Sequence, residues 1–248
     1  MPPKKRDSGA GGATPMVNFY EHKDLKKLLP PQQNPHFERT QIKLPARIGV
    51  VAASGGGKST WLLNFIALTP DTWGHIWICT KASEPIYDFL QKKVGEKDVS
   101  IVYKLGDLPP LKDFPNANKQ QLVVFDDCCV DKNQELIGQF FIRGRKVTKY
   151  GLTMVYLSQS YYKIPKVVRL QLSYLIILKL SSDRDLSLIL SENSLGIDKD
   201  MLKQVYKDST RVQFDFLKID INQGDDNKRF SHNWTGFYEV EDDDDEAK

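Results

Sequence analysis

Short apolar runs alternate along the chain with stretches in which apolar residues recur at helical spacing. Residues 48–52 (IGVVA), 75–80 (HIWICT), 99–103, 121–127 (QLVVFDD), 152–158 (LTMVYLS) and 174–180 (YLIILKL) read as strands. They are apolar enough to lie inside a sheet. After 57, Trp61, Leu62, Phe65 and Ile66 give a helix a wide buried stripe. Ser83 is placed to cap a second helix, with Pro85 in its first turn, Ile86, Phe89, Leu90 and Val94 on one face, and Gly95 as its stop. Asp131, with Gln134 three residues on, is placed to cap a third that carries Leu136, Ile137, Phe140 and Phe141. Residues 183–206 look helical with a break near Gly196, and 17–29 suit a short helix. Residues 37–44 have extended character, with Ile42 and Leu44 on one face, and are expected to pair at the sheet edge. Residues 211–221 alternate Val212, Phe214 and Phe216, then shift phase to Ile219 and Ile221, as in a half-buried strand with a bulge near Leu217.

Strands alternating with helices predict an α/β fold, a mostly parallel central sheet with helices on both faces. Ligands of such sheets collect at the carboxyl ends of the strands. The expected organisation is a flexible N-terminal arm and linker at 1–36, one domain at 37–238 and a disordered acidic tail at 239–248.

Composition changes this picture little. The chain is 40% hydrophobic and 27% charged, as in soluble globular proteins. No apolar run is long enough to cross a bilayer and the N-terminus lacks a signal-peptide core, which argues against secretion and membrane insertion. Cys79, Cys128 and Cys129 are not spaced as a zinc ligand set, so a reduced, cytosolic-type protein is expected. Charge is more telling. The last ten residues hold seven acids and one lysine, a net −6, so the rest of the chain carries +9 against +3 for the whole. A basic body suits an anionic partner such as nucleic acid, and Lys4-Lys5-Arg6 adds to it.

Candidate chemistry gathers at predicted strand ends. After the first strand come Ala52, Ala53, Ser54, Gly55, Gly56, Gly57, Lys58, Ser59 and Thr60, then a helix. Strand, glycine loop and helix in that order make a phosphate-binding loop, in which backbone N–H groups converge on an anion. Lys58 would reach the β- and γ-phosphates of ATP and Ser59 would sit on Mg²⁺. Ala52 stands where the pattern has its first glycine, which requires a negative φ there. The strand QLVVFDD ends in paired acids, Asp126 for the metal side and Asp127 as candidate base for the attacking water. Gln159 ends another strand and could orient that water or sense the γ-phosphate. Arg145, then Arg169, with Arg143 also considered, are candidates for a finger reaching a neighbouring subunit's ATP. Tyr161-Tyr162-Lys163 fits either a DNA-gripping loop or packing under the sheet edge.

Together AASGGGKST, LVVFDD and FIRGRKVTKYGLTMVYLSQSYYKIPKVVR resemble the FtsK–HerA superfamily of P-loop ATPases. They are most similar to its viral branch, the poxvirus-type genome-packaging ATPases of large DNA viruses and virophages. The resemblance covers 37–180. It implies a RecA-like fold and a homo-oligomeric ring, hexamer or pentamer, that hydrolyses ATP with Mg²⁺. Such a ring pumps double-stranded DNA into a preformed capsid through a vertex or portal-like site, in the host cytoplasm or viral factory. By motif match it assigns Lys58 and Ser59 to phosphate and Mg²⁺, Asp126 to the metal side, Asp127 to catalysis and Gln159 to sensing. Asp127 stands where many members have glutamate. A helicase or replication ATPase on the same core, an ATP-dependent assembly scaffold and a small-molecule kinase are the competing functions.

Overall fold

The structure is a computed structural model that describes residues 17–28, 34–131, 133–194 and 197–239. The basic arm, residues 30–33 of the expected linker, Gly196 and the acidic tail from 240 onward lie outside the described residues. The chain divides into two compact units, 1–31 and 32–248. In the first, the described residues form a 3-10 turn, Phe19–Glu21, and helix α1, Lys23–Leu28.

The second unit is built on a nine-stranded sheet. Its strands are β1 (Arg47–Val51), β2 (Trp73–Cys79), β3 (Val99–Val102), β4 (Gln120–Asp126), β5 (Leu152–Ser158), β6 (Tyr174–Ile177), β7 (Leu217–Asp220), β8 (Phe230–His232) and β9 (Gly236–Phe237), in spatial order β3-β2-β4-β5-β1-β6-β7-β8-β9. Strands β1 to β6 are parallel, and β7, β8 and β9 extend the sheet antiparallel. All seven residues of β4 and of β5 are buried, as continuous apolar runs in the middle of a parallel sheet require. Between the strands run α2 (Phe37–Thr40), α3 (Lys58–Leu68), α4 (Pro85–Val94), α5 (Gln134–Arg143), α6 (Lys166–Arg169), α7 (Asp183–Asn193) and α8 (Lys199–Ser209).

The core lies in two layers. Helices α3 and α4 pack through Trp61, Leu62, Phe65, Tyr87 and Leu90 on one face of the sheet. Helices α5 to α8 cover the other through residues such as Phe140, Phe141, Val168, Ile189 and Leu202. The break expected near Gly196 is real in outline: α7 ends at Asn193 and α8 starts at Lys199, where Asp198 accepts from the Asp200 and Met201 amides. The antiparallel extension is fastened to α3 by aromatic rings. Trp234 stacks on Trp61 with centroids 5.6 Å apart and meets Phe216 edge-on at 5.0 Å. Each such pair adds about 1 kcal/mol beyond its buried area.

Four expectations need correction. Residues 37–44 are not an edge strand: they form α2 and a following loop, and β1 has β5 and β6 as its neighbours. The buried Asn34 amide donates to Thr40 Oγ1 (3.1 Å) and to the Ile42 carbonyl (2.7 Å), and this curls the segment back. Residues 211–216 are a loop, and only Leu217–Asp220 join the sheet. Helix α5 is capped by Asn133, whose side chain accepts from the Leu136 amide (3.2 Å), not by Asp131. In α4 the N-cap position is Glu84 rather than Ser83, and the buried face is Tyr87 and Leu90, with Phe89 and Val94 exposed.

Candidate active site

Strand β1 delivers its loop to the centre of the sheet's carboxyl edge. The Ala52 amide donates to the Ser158 carbonyl (3.2 Å) and the Ala53 amide to the Lys179 carbonyl (3.0 Å), rooting the loop between β5 and β6. The left-handed positions are Gly55 (φ 70°) and Gly57 (φ 100°). Ala52 is not one of them, so a side chain there costs no backbone strain. Gly57 is also the N-cap of α3 and has no side chain to satisfy the first-turn amides, which leaves them for an anion. Lys58, at the first position of α3, is buried to 9% exposure.

Across the sheet, β4 ends in Asp126, 4% exposed. The hydroxyl of Tyr87, itself fully buried on α4, donates to Asp126 Oδ2 at 2.5 Å. Burial pushes the Asp126 carboxyl up to about 6. The Tyr87 bond and the charge of Lys58 pull it down, while Asp127 and Glu84 repel it. Ser59, in the first turn of α3, also influences the Tyr87 hydroxyl that Asp126 binds. A serine hydroxyl and a buried carboxylate are hard-oxygen donors of the kind that suit Mg²⁺.

Asp127 adopts a left-handed conformation (φ 46°, ψ 34°) as its amide donates to the Leu157 carbonyl (3.1 Å). That turn aims its carboxylate along the strand ends, where Gln159 Nε2 donates to Asp127 Oδ2 at 2.7 Å. Strand β5, which ends just before Gln159, lies between β1 and β4. The glutamine therefore stands between the glycine loop and the acids. The residues after it are pinned by Asp185, buried on the first turn of α7. One of its oxygens accepts from Ser160 Oγ and from the Tyr162 amide, both at 2.9 Å.

The arginine candidates lie elsewhere. Arg143 and Arg145 are exposed at the end of α5 and in the turn after it. Arg145 shares a cleft with Lys43, Pro45, Ser173 and Tyr174 at the amino ends of β1 and β6, the opposite edge from the glycine loop. Arg169 is turned inward: its Nη2 lies 3.5 Å from Glu192 Oε1 and its guanidinium 5.2 Å above the Tyr161 ring. The aromatic triplet splits. Tyr161 is core, while Tyr162 is 54% exposed beneath the Arg184 guanidinium (3.9 Å), beside an exposed Lys163. The three cysteines are free, and burial pushes the Cys128 thiol up to about 12, so it stays protonated.

Sequence reasoning missed Tyr87 and the neighbouring Glu84. The available signal was that a buried tyrosine needs a partner for its hydroxyl; hydrophobicity alone favours Phe89 as the inward residue. A groove of about 720 Å³ between α3 and α4, lined by Leu63, Phe89, Leu90 and Val94, lies on the flank of the domain and holds none of these groups.

Comparison with known structures gives the same architecture. The genome packaging NTPase B204 from Sulfolobus turreted icosahedral virus 2, in complex with AMPPCP, matches with a TM-score of 0.55 at 17% identity, over 76% of this chain and 97% of that one. EssC (ATPases 2 and 3) from Geobacillus thermodenitrificans matches with a TM-score of 0.51 at 13% identity, over 81% of this chain and 41% of that one. The pCW3 conjugation coupling protein TcpA, with ATPγS, gives a TM-score of 0.50 at 12% identity, over 80% and 63%. No curated protein matches significantly. At these identities the likenesses establish a P-loop NTPase fold. The family model for the poxvirus A32 protein aligns with residues 34–213, which span the glycine loop, the acid pair and Gln159. The chain is therefore a member of the poxvirus A32 protein family.

Proposed function

We propose that this protein is an ATPase that drives double-stranded DNA into a viral capsid. One observation carries the reading: the loop bearing Lys58, the Asp126-Asp127 pair and Gln159 meet at one strand edge, with Gln159 Nε2 2.7 Å from Asp127. Family membership and the B204 likeness support the packaging role.

In this reading residues 52–60 hold the triphosphate through backbone amides, and Lys58 sets its charge against the β- and γ-phosphates. Ser59, and Asp126 through a bound water, would hold Mg²⁺, which when bound would neutralise charge on those phosphates. Asp127 is the base for the attacking water. Gln159 orients that water and, through its bond to Asp127, keeps the carboxylate aimed. Arg143 or Arg145 serves a neighbouring subunit's nucleotide in a ring, hexamer or pentamer. Their position on the far edge supports a role between subunits and none within one. Arg169 is withdrawn as a finger because Glu192 and Tyr161 hold it inside its own subunit. Exposed Tyr162, Lys163 and Arg184 suit the phosphate backbone of duplex DNA. The arm at 1–36, the acidic tail at 239–248, docking at a capsid vertex and action in the host cytoplasm complete the reading.

The test is the ATPase rate with and without duplex DNA, with oligomer mass measured in the same samples. The expected result is hydrolysis stimulated severalfold by duplex DNA in a ring-sized particle. Absence of hydrolysis in every sample overturns the enzyme reading. Unwinding of forked DNA replaces packaging with a helicase.

A further inference from the structure

The glycine loop has two flanks, and the proposed chemistry uses only one. On the other lies a cavity of about 430 Å³ lined by Ser54, Gly55, Gly56, Lys179, Arg211 and Phe214. Its outer wall is the loop between α8 and β7, the segment whose sequence alternates like a strand. Phe214 sits there at φ 73°, a conformation that bulky side chains rarely hold. The ring lies against the phosphate-binding loop itself. A Cβ built on Gly57 would stand 2.6 Å from Phe214 Cδ1 and 3.4 Å from Cε1. Even so, Phe214 keeps 48% of its surface exposed.

The wall is held in place from outside. Asp215 accepts from Asn233 Nδ2 and from His232 Nε2, both at 2.9 Å, and the Phe216 amide donates to Asn233 Oδ1 (3.1 Å). Phe216 then packs on Trp61 and Trp234. A ring fixed at φ > 0 and left half bare beside a phosphate loop is the kind of local strain that gathers at ligand sites.

The ligand's orientation follows from the roles proposed for the acids and the glutamine. The terminal phosphate and its water belong beside Asp126, Asp127 and Gln159, on the β4–β5 side. A nucleotide running back across Gly55–Gly57 then carries its nucleoside to the β6 side, where this cavity opens. We propose that the cavity receives the base and ribose of the nucleotide whose phosphates the glycine loop holds, and that Phe214 stacks on the base. Its size suits a nucleoside, and exposed Lys179 on its rim suits the phosphates threaded past it, while Arg211 is paired with Asp208 (3.5 Å). Base–aromatic stacking is strong and tolerant of base identity.

This inference rests on the nucleotide-binding reading above, and its test separates the two. Equilibrium binding of ATP and of inorganic tripolyphosphate is measured for the full chain, for Phe214→Ala and for Phe214→Trp. The loop binds both probes, and only ATP carries a base. Phe214→Ala is expected to weaken ATP about tenfold and to leave tripolyphosphate unchanged. Phe214→Trp is expected to restore ATP binding and to add fluorescence quenching with ATP but none with tripolyphosphate. Equal weakening of both probes makes Phe214 a prop for the loop and overturns the base site. Unchanged ATP affinity in Phe214→Ala overturns it as well. If the wild-type chain binds neither probe, the phosphate loop reading fails and takes the base site with it.

Discussion

The two flanks of the glycine loop are built by different means. On the β4–β5 flank the side chains that matter are the strands' own last residues, Asp126 and Asp127 on β4 and Gln159 just past β5. Parallel pairing alone brings them together, since Asp126 is in register with Leu157 and the next residues meet beyond it. On the β6 flank the wall comes from a loop more than 150 residues further on, held by the antiparallel extension. The first flank is specified by where strands stop. The second depends on tertiary anchoring, with aromatic rings, an asparagine and a histidine in place of a motif. On the function and the base site proposed above, the two flanks divide the labour, with turnover assigned to the acid flank and affinity to the aromatic flank.

Predictions can break that division or sharpen it. The largest effect is expected for Lys58→Ala, which removes the cation common to both flanks. ATP hydrolysis should fall by about two orders of magnitude or more while the thermal melt keeps its single transition. Turnover near wild type in an ATPase assay would end the site assignment. Gln159→Ala should lower kcat by about 10- to 100-fold and leave KM for ATP within about threefold, since it loses the amide at Asp127 and no phosphate contact. A KM effect equal to the kcat effect would erase the contrast with Phe214.

The smallest expected effect is on stability, and only on the aromatic flank. Lys218 on β7 is 1% exposed, and its Nζ donates to the Thr40 carbonyl (3.0 Å) and to the Trp234 carbonyl. Burial pulls its pKa down to about 7, with Asp220 pulling the other way. An unfolded lysine titrates near 10.4. Between pH 7 and 9 the unfolded chain thus holds the Lys218 proton that the folded chain has released, and stability rises with pH. The gain from this group is about 2 kcal/mol. Denaturant melts at pH 7 and pH 9 should show wild type gaining that much relative to Lys218→Met, and parallel curves would count against it.

Much of the fold could be read from the sequence where the signal is local. The apolar runs of β1, β4 and β5, the glycines and the helix after them all lie where periodicity puts them. What could not be read has physical causes. Asn34 curls 37–44 away from the sheet through two hydrogen bonds to residues six and eight positions on, which no spacing rule encodes. In α4 hydrophobicity ranks Phe89 above Tyr87, yet the phenol goes inside because Asp126 is there to accept its hydrogen bond. The alternation at 211–216 is a true pattern with the wrong cause: Phe216 is buried among tryptophans, while Phe214 faces the glycine loop instead of a sheet neighbour. Asp126 and Gln159 were visible because strand ends are where parallel sheets expose chemistry. Arg169 looked like its exposed neighbours because nothing in its own segment reveals the Glu192 partner on α7.

The short run from Gln159 to Tyr162 leaves almost no slack. One buried oxygen of Asp185 tethers both Ser160 and Tyr162 to the head of α7. The glutamine at the strand edge is thus one residue away from a fixed point on α7, and the next residue of that helix after Asp183, Arg184, lies over the ring of Tyr162.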